Sequence, residues 1–248
     1  MPAVETTGLT KRYGDVVALS DLSLSVEDGE LFGLLGPNGS GKTTTIEILT
    51  GQREPTEGTA TVLGQDPVTD PLSVRQSIGI LPEREDPPSF LTPREYLQFV
   101  GDVREVENID DRIERWARNL EFRGVLDTIA GDLSEGERQR VMLSQAFVHE
   151  PDLVFIDEPL VNLDPLMQEE VKSHLREYCA EGNTLFLSTH FMAVAEELCT
   201  QVGIIADGTL VTQQDTRDFG DGGLLDTFVE EVEGSADTPG APVEVADE

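Results

Sequence analysis

The chain has 248 residues, enough for one large domain or two small ones, and its 49 acidic against 17 basic residues give a formal net charge of −32. That balance argues against nucleic acid as a main partner, because neutralising phosphates requires basic patches. Two cysteines, Cys179 and Cys199, make no disulfide framework and suit a reducing compartment, and no apolar stretch approaches the ~18 residues of a membrane span.

Residues 3–29 read as short strands at 4–9, 16–19 and 22–26, punctuated by the turn pairs Gly14-Asp15 and Asp28-Gly29. An apolar run from Glu30 to Leu35 then fits a buried parallel strand. It leads into Gly36-Pro37-Asn38-Gly39-Ser40-Gly41-Lys42-Thr43-Thr44, which matches the phosphate-binding pattern G-x-x-x-x-G-K-[ST]. Glycines let the backbone curl so that N–H groups point at phosphate oxygens, and the helix starting near Gly41 adds its positive dipole end. Lys42 supplies a mobile positive charge, and the Thr43 hydroxyl can ligate Mg²⁺. The chain is therefore expected to bind a nucleoside triphosphate.

Further strands are expected at 58–63 and 78–81, and residues 92 to about 131 read as helical. Thr92-Pro93-Arg94-Glu95 is a capping box with proline at the first helical position. Ser134-x-x-Glu137 opens another helix, and a cap with an exposed serine hydroxyl and a glycine N–H, Gly136, is at once a helix start and an anion site. From 153 onward strands and helices alternate: 153–156, a helix near 167–179, 184–188, a helix near 192–199, and 202–206. Val171, Leu175 and Tyr178 recur at helical spacing and should face the core. Residues 231–248 are rich in Gly, Pro and acids and are expected to be a disordered tail. The fold class is α/β with an inserted helical segment.

The strand at 153–156 runs into Asp157 and Glu158. Asp157 at the carboxyl end of a buried strand is placed to hold a Mg²⁺ shell, and Glu158 to orient and deprotonate an attacking water.

These motifs occur in a fixed order: Tyr13, the loop 36–44, the loop after Leu81, the segment 133–137, Asp157-Glu158, Asn162-Leu163-Asp164 and Thr189-His190. In that order the chain resembles the nucleotide-binding subunit of ATP-binding cassette (ABC) transporters over about residues 3–230. The resemblance implies a P-loop ABC ATPase core with an antiparallel β subdomain and a helical subdomain at about 84–150. It implies that Tyr13 stacks on adenine, that Gly36 through Thr44 hold the phosphates, and that Thr43, Asp157 and Glu83 attend Mg²⁺. Glu158, His190 and Lys42 would be catalytic. Ser134 and Gly136 would contact the γ-phosphate of ATP on a second ATP-binding subunit, identical or different, and Asp164 would help join the two sites. The pattern after Ile78 and the ending from Leu224 to Val229 look most like exporters of the multidrug, polysaccharide and metal-supply type.

Departures from the family pattern are confined to a few positions. Glu135 and Glu137 stand where a glycine and a glutamine are usual, Glu83 where a glutamine is usual, and Val161 and Asn162 where small residues are usual. Ser134, Gly136 and the catalytic set remain, so an active ATPase is expected. ATP would close a dimer of cassettes and hydrolysis would open it, pulling on a transmembrane permease subunit through the surface between Glu83 and Val100. Phe90 and Leu91 are either contacts there or helix packing. The subunit would sit at the cytoplasmic face of the membrane and touch it only through that partner. A soluble cassette ATPase, for instance in cofactor assembly, is the alternative.

The acidity is not confined to the C-terminal tail, and only Lys11, Lys42 and Lys172 represent lysine. Self-repulsion of this size is screened at about 1 M salt, where the Debye length is ~3 Å, so a salt-adapted cytoplasm is expected.

Overall fold

The computed structural model describes residues 2–83, 85–160, 163–219, 223, 224 and 228. Residues 161, 162 and 231–248, and most of the ending from 224 to 229, lie outside the described residues.

The N-terminal part is antiparallel. Strand β1 (Pro2–Tyr13) pairs with β2 (Val16–Leu22) over its second half and with β3 (Ser25–Glu27) over its first. On its other edge it takes β5 (Glu57–Val62), after β4 (Leu31–Leu35) and α1 (Lys42–Leu49). β1 is thus one long strand reaching well beyond the expected 4–9, with register shifts where it passes from one partner to the next. Helix α2 (Pro71–Ser77) and β6 (Ile78–Leu81) follow.

The second half carries α3 (Pro93–Val103), α4 (Ile109–Asn119), α5 (Glu135–Phe147), β7 (Leu153–Asp157), α6 (Pro165–Ala180), β8 (Thr184–Thr189), α7 (Met192–Leu198), β9 (Gln201–Ala206) and β10 (Thr209–Asp215). A six-stranded sheet has the order β10-β9-β4-β8-β7-β6. Its strands are parallel except β10, which folds back on β9 through Asp207 and Gly208, both with positive φ.

Alternation along the strands sorts the side chains into two layers. Phe32, Leu34, Phe155 and Phe186 pack toward α1 and the antiparallel sheet, with ring centroids 5.1 Å apart for Phe32–Phe186 and 5.3 Å for Phe155–Phe186. Leu31, Leu35, Val154, Ile156, Leu185 and Leu187 face the helices α5 to α7 instead. A parallel sheet needs both faces covered, and here both are. The close packing of α7 on β4 needs Gly33, where a Cβ would lie 2.6 Å from the buried Cys199 Sγ.

The stretch read as helical over 92 to about 131 resolves into two helices and two short 3₁₀ turns. The Thr92–Glu95 capping box starts α3 as expected. The chain then breaks between α3 and α4, where Glu105 and Asn108 take left-handed φ values of 56° and 54°. The break lets Ile109 fold back over Gly101, whose missing side chain makes the room. Val171 and Leu175 are buried and Tyr178 is partly buried, so the expected face of α6 is the core face. Lys172, on the same helix, is buried between Glu169 and Glu197, its Nζ 2.8 and 2.5 Å from their carboxylates.

Candidate functional site

Three neighbouring strands, β4, β8 and β7, end at the same edge of the sheet, with Leu35 opposite Thr189 and Asp157 opposite Ser188. The phosphate-binding loop leaves β4 there. Gly36 sits where any Cβ would overlap the Ile205 carbonyl. Gly41, at the N-cap of α1, has φ 109°, and a Cβ on it would meet Leu19 Cδ2 at 2.6 Å and the Ala18 carbonyl at 2.7 Å. These glycines are therefore steric requirements of the loop. The turn after β9 braces it from outside, with Gly208 N–H donating to the Ser40 carbonyl at 3.0 Å.

Lys42 is buried, and its Nζ donates to the carbonyls of Gly36 (2.8 Å) and Pro37 (3.2 Å). Burial lowers its pKa, and the charges of Glu158, Asp157 and Glu83 work against that shift. Thr43 Oγ1 donates to Asp157 Oδ2 at 2.8 Å, and Ser188 Oγ donates to Asp157 Oδ1. Asp157 is thus held on both oxygens and is 4% exposed.

Glu158, 6% exposed, has a left-handed backbone with φ 53°. That conformation is costly for a residue with a Cβ, and such strain gathers at functional sites. It is anchored by Glu158 N–H donating to the Ser188 carbonyl at 3.0 Å. His190 Nδ1 lies 2.7 Å from Glu158 Oε1, and Thr189 Oγ1 donates to Oε2 at 3.2 Å.

A cavity of about 440 Å³ collects these groups: Asn38, Gly39, Gly41, Lys42, Thr43, Thr44, Glu83, Asp157, Glu158 and His190 all line it, with Ala18. Tyr13 stands at the end of β1 with 41% of its surface exposed, its ring 5.2 Å from Lys11 Nζ and 5.7 Å from Arg53 Cζ. It does not line the cavity, and neither do Gly36, Pro37 and Ser40. Ser134 and Gly136 are also elsewhere. Ser134 caps α5 and accepts from Glu137 N–H at 3.3 Å, while its own N–H and hydroxyl each donate to Glu137 Oε2 at 2.8 Å. These bonds hold the Glu137 carboxyl below the usual carboxylate range. Asp164 caps α6, accepting from Leu166 and Met167 N–H at 3.1 Å each.

Two functional-looking residues escaped the sequence reading: Ser188, and the hydroxyl of Thr189. Their only signal was a pair of hydroxyl residues closing an apolar strand.

A family model described as ABC transporter matches residues 19–161, more than half of the chain. The chain belongs to the ABC transporter family. Among curated relatives, the probable multidrug ABC transporter ATP-binding protein YbhF of Escherichia coli (strain K12) is 34% identical over 210 residues, 84% of this chain but 36% of its own length. Nod factor export ATP-binding protein I of Rhizobium meliloti is 34% identical over 216 residues, 85% of this chain and 64% of its own length. The protein of that name from Rhizobium sp. (strain N33) is 36% identical over 211 residues, 83% of this chain and 68% of its own length. The ABC family chain described here thus spans only part of these relatives. Among solved structures, an ATP-binding subunit of an ABC transporter superposes with TM-score 0.86 at 30% identity, covering 92% of this chain and 98% of that one. A dimeric post-hydrolysis ATP-binding cassette bound to ADP and Pi superposes with TM-score 0.77 at 23% identity, covering 87% and 100%, and speaks for the fold alone. The architecture is the P-loop ABC ATPase fold.

Proposed function

We propose that this chain is the ATP-binding and hydrolysing subunit of an ABC membrane exporter, coupling ATP-driven closure of a cassette dimer to substrate translocation. The observation that carries the reading is the meeting of Lys42, Thr43, Asp157, Glu158 and His190 in one cavity at the end of three adjacent strands. Lys42, already buried with its charge sustained by carboxylates, exchanges loop carbonyls for β- and γ-phosphate oxygens. Tyr13 offers an aromatic face to the adenine.

The donor set suits Mg²⁺. Thr43 Oγ1 and Asp157 Oδ2 are oxygen donors 2.8 Å apart, and Glu83 borders the same cavity. Among the described residues no group of three or more His, Cys, Asp or Glu forms a metal cage. Thr43 and Asp157 would hold the ion, which when bound would neutralise phosphate charge. Glu158 takes the proton of the attacking water, and His190, bonded to Glu158 through Nδ1, steadies water and γ-phosphate.

Ser134 and Gly136 do not line the cavity of their own chain, so a phosphate contact by them requires a second cassette, identical or different. Residues 84–150 are read as the helical subdomain facing a transmembrane permease. Phe90, Phe99 and Val103, with 77%, 59% and 61% of their surface exposed, are candidate contacts. On this reading the chain works at the cytoplasmic face of the membrane, held by that partner, in a salt-rich cell.

The test is a capture experiment. Tagged Glu158→Gln is expressed in its host, trapped with Mg-ATP, and purified from membranes solubilised in high KCl. Co-purification of a polytopic membrane protein is the expected result; a purely soluble partner would favour a soluble cassette ATPase instead. Lys42→Ala should abolish ATP turnover, and unchanged turnover would sink the ATPase reading.

A further inference from the structure

Strand β8 ends on two buried hydroxyl residues, Ser188 and Thr189, and each serves one of the two successive acids that close β7. A threonine hydroxyl has one proton and two acceptor lone pairs. Phe191 N–H donates to Thr189 Oγ1 at 3.0 Å, which occupies a lone pair. The proton goes to Glu158 Oε2 at 3.2 Å, while His190 engages Oε1 at 2.7 Å. The Glu158 carboxylate is therefore pinned at both oxygens, from one side by a residue bordering the cavity and from the other by one that is 1% exposed and lines no part of it.

We propose that Thr189 is a positioning residue for Glu158. It fixes the plane of the carboxylate, so that the Oε1 lone pair that His190 leaves open, and not a freely rotating group, is presented to the water. The backbone explains why the side chain needs such help: with Glu158 in a left-handed conformation at a strand end, its rotamer is not set by strand geometry. Thr189 acts only through Glu158, having no access to nucleotide. This inference rests on the reading of Glu158 as the base.

The test compares wild-type protein with Thr189→Val, Thr189→Ser and Glu158→Gln in steady-state ATPase assays, alongside equilibrium binding of ATP and ATP-driven dimerisation. Thr189→Val should lower kcat by about 10- to 100-fold, the scale of a misplaced reacting group, with KM changed by less than about twofold. ATP binding and dimerisation should be retained, and Thr189→Ser should recover most of kcat. A role in packing alone would change stability without separating kcat from KM. Should Thr189→Val fail to fold, Thr189→Ala is judged by the same criteria. The inference is overturned if kcat of the hydroxyl-free variant stays within about twofold of wild type, or if serine rescues nothing. Full turnover by Glu158→Gln would instead remove the base assignment itself.

Discussion

Thr43 Oγ1 donates to Asp157 Oδ2 at 2.8 Å, joining the first turn of α1 to the end of β7 across 114 residues of sequence. The bond exists because β4 and β7 flank β8 in the same parallel register. It brings a hydroxyl and a carboxylate to one point without any loop having to reach for it.

Asp157→Asn keeps the shape of that contact and removes a charge. The Mg²⁺ concentration for half-maximal ATPase activity should rise by at least about tenfold, the lower end of what disturbed ligation costs. Metal titration of the activity checks this; an unchanged Mg²⁺ requirement would separate Asp157 from the metal.

Gly41→Ala places a Cβ against Leu19 and the Ala18 carbonyl while keeping a left-handed φ. Strain and overpacking together should cost about 2–4 kcal/mol and distort the phosphate loop. Denaturant melts should show the loss of stability, and ATP binding should fall with it. A variant as stable and as tight-binding as wild type would contradict the geometry.

His149 supplies a pH effect remote from the cavity. Its Nε2 lies 2.9 Å from Arg104 Nη1 and 3.1 Å from the Ile78 carbonyl. Burial, then the Arg104 charge, pushes its pKa down to about 4 from an ordinary 6.5. The unfolded chain takes up this proton below pH 6.5, whereas the folded chain does not until about pH 4. The contribution is complete above pH 6.5 and is lost as pH falls toward 4, by up to about 3 kcal/mol. In His149→Gln the decline between pH 7 and pH 4.5 should be shallower by a measurable part of that amount. Paired melts at the two pH values decide it, since the carboxylates titrate alike in both proteins.

The charge of −32 makes a bulk expectation. Melting temperature should climb steeply with KCl from about 0.1 M to about 1 M, as the Debye length falls from about 10 Å to about 3 Å. A flat response would remove the case for a salt-adapted protein.

The sequence was informative wherever local chemistry dictates residue type. The run from Gly36 to Thr44 is legible because only glycine fits at Gly36 and Gly41. The strand ending in Asp157-Glu158 is legible because buried apolar runs seldom stop on two acids. Asp70-Pro71 and Asp207-Gly208 were legible in principle as the starts of α2 and of the β9–β10 turn, yet the elements they introduce are short or weakly apolar. The break between α3 and α4 was not legible: Glu105 and Asn108 adopt left-handed φ without a glycine or proline to announce it. Nor could the sequence show which hydroxyl meets which carboxylate, because Ser188 and Thr189 reach Asp157 and Glu158 only through inter-strand register.

Lysine placement turns an indiscriminate reagent into a directed one. Lys42 and Lys172 are 6% and 8% exposed, and both ammonium groups are engaged. Lys11 is the more exposed, its Nζ donating to the Glu54 carbonyl at 2.6 Å beside the Tyr13 ring. Among the three lysines, amine-coupling dyes or surface-immobilisation chemistry will therefore attach chiefly at Lys11. A fluorophore added without mutagenesis would then report from the edge of the proposed adenine side, and a sensor chip coupled the same way would hold the protein by that side.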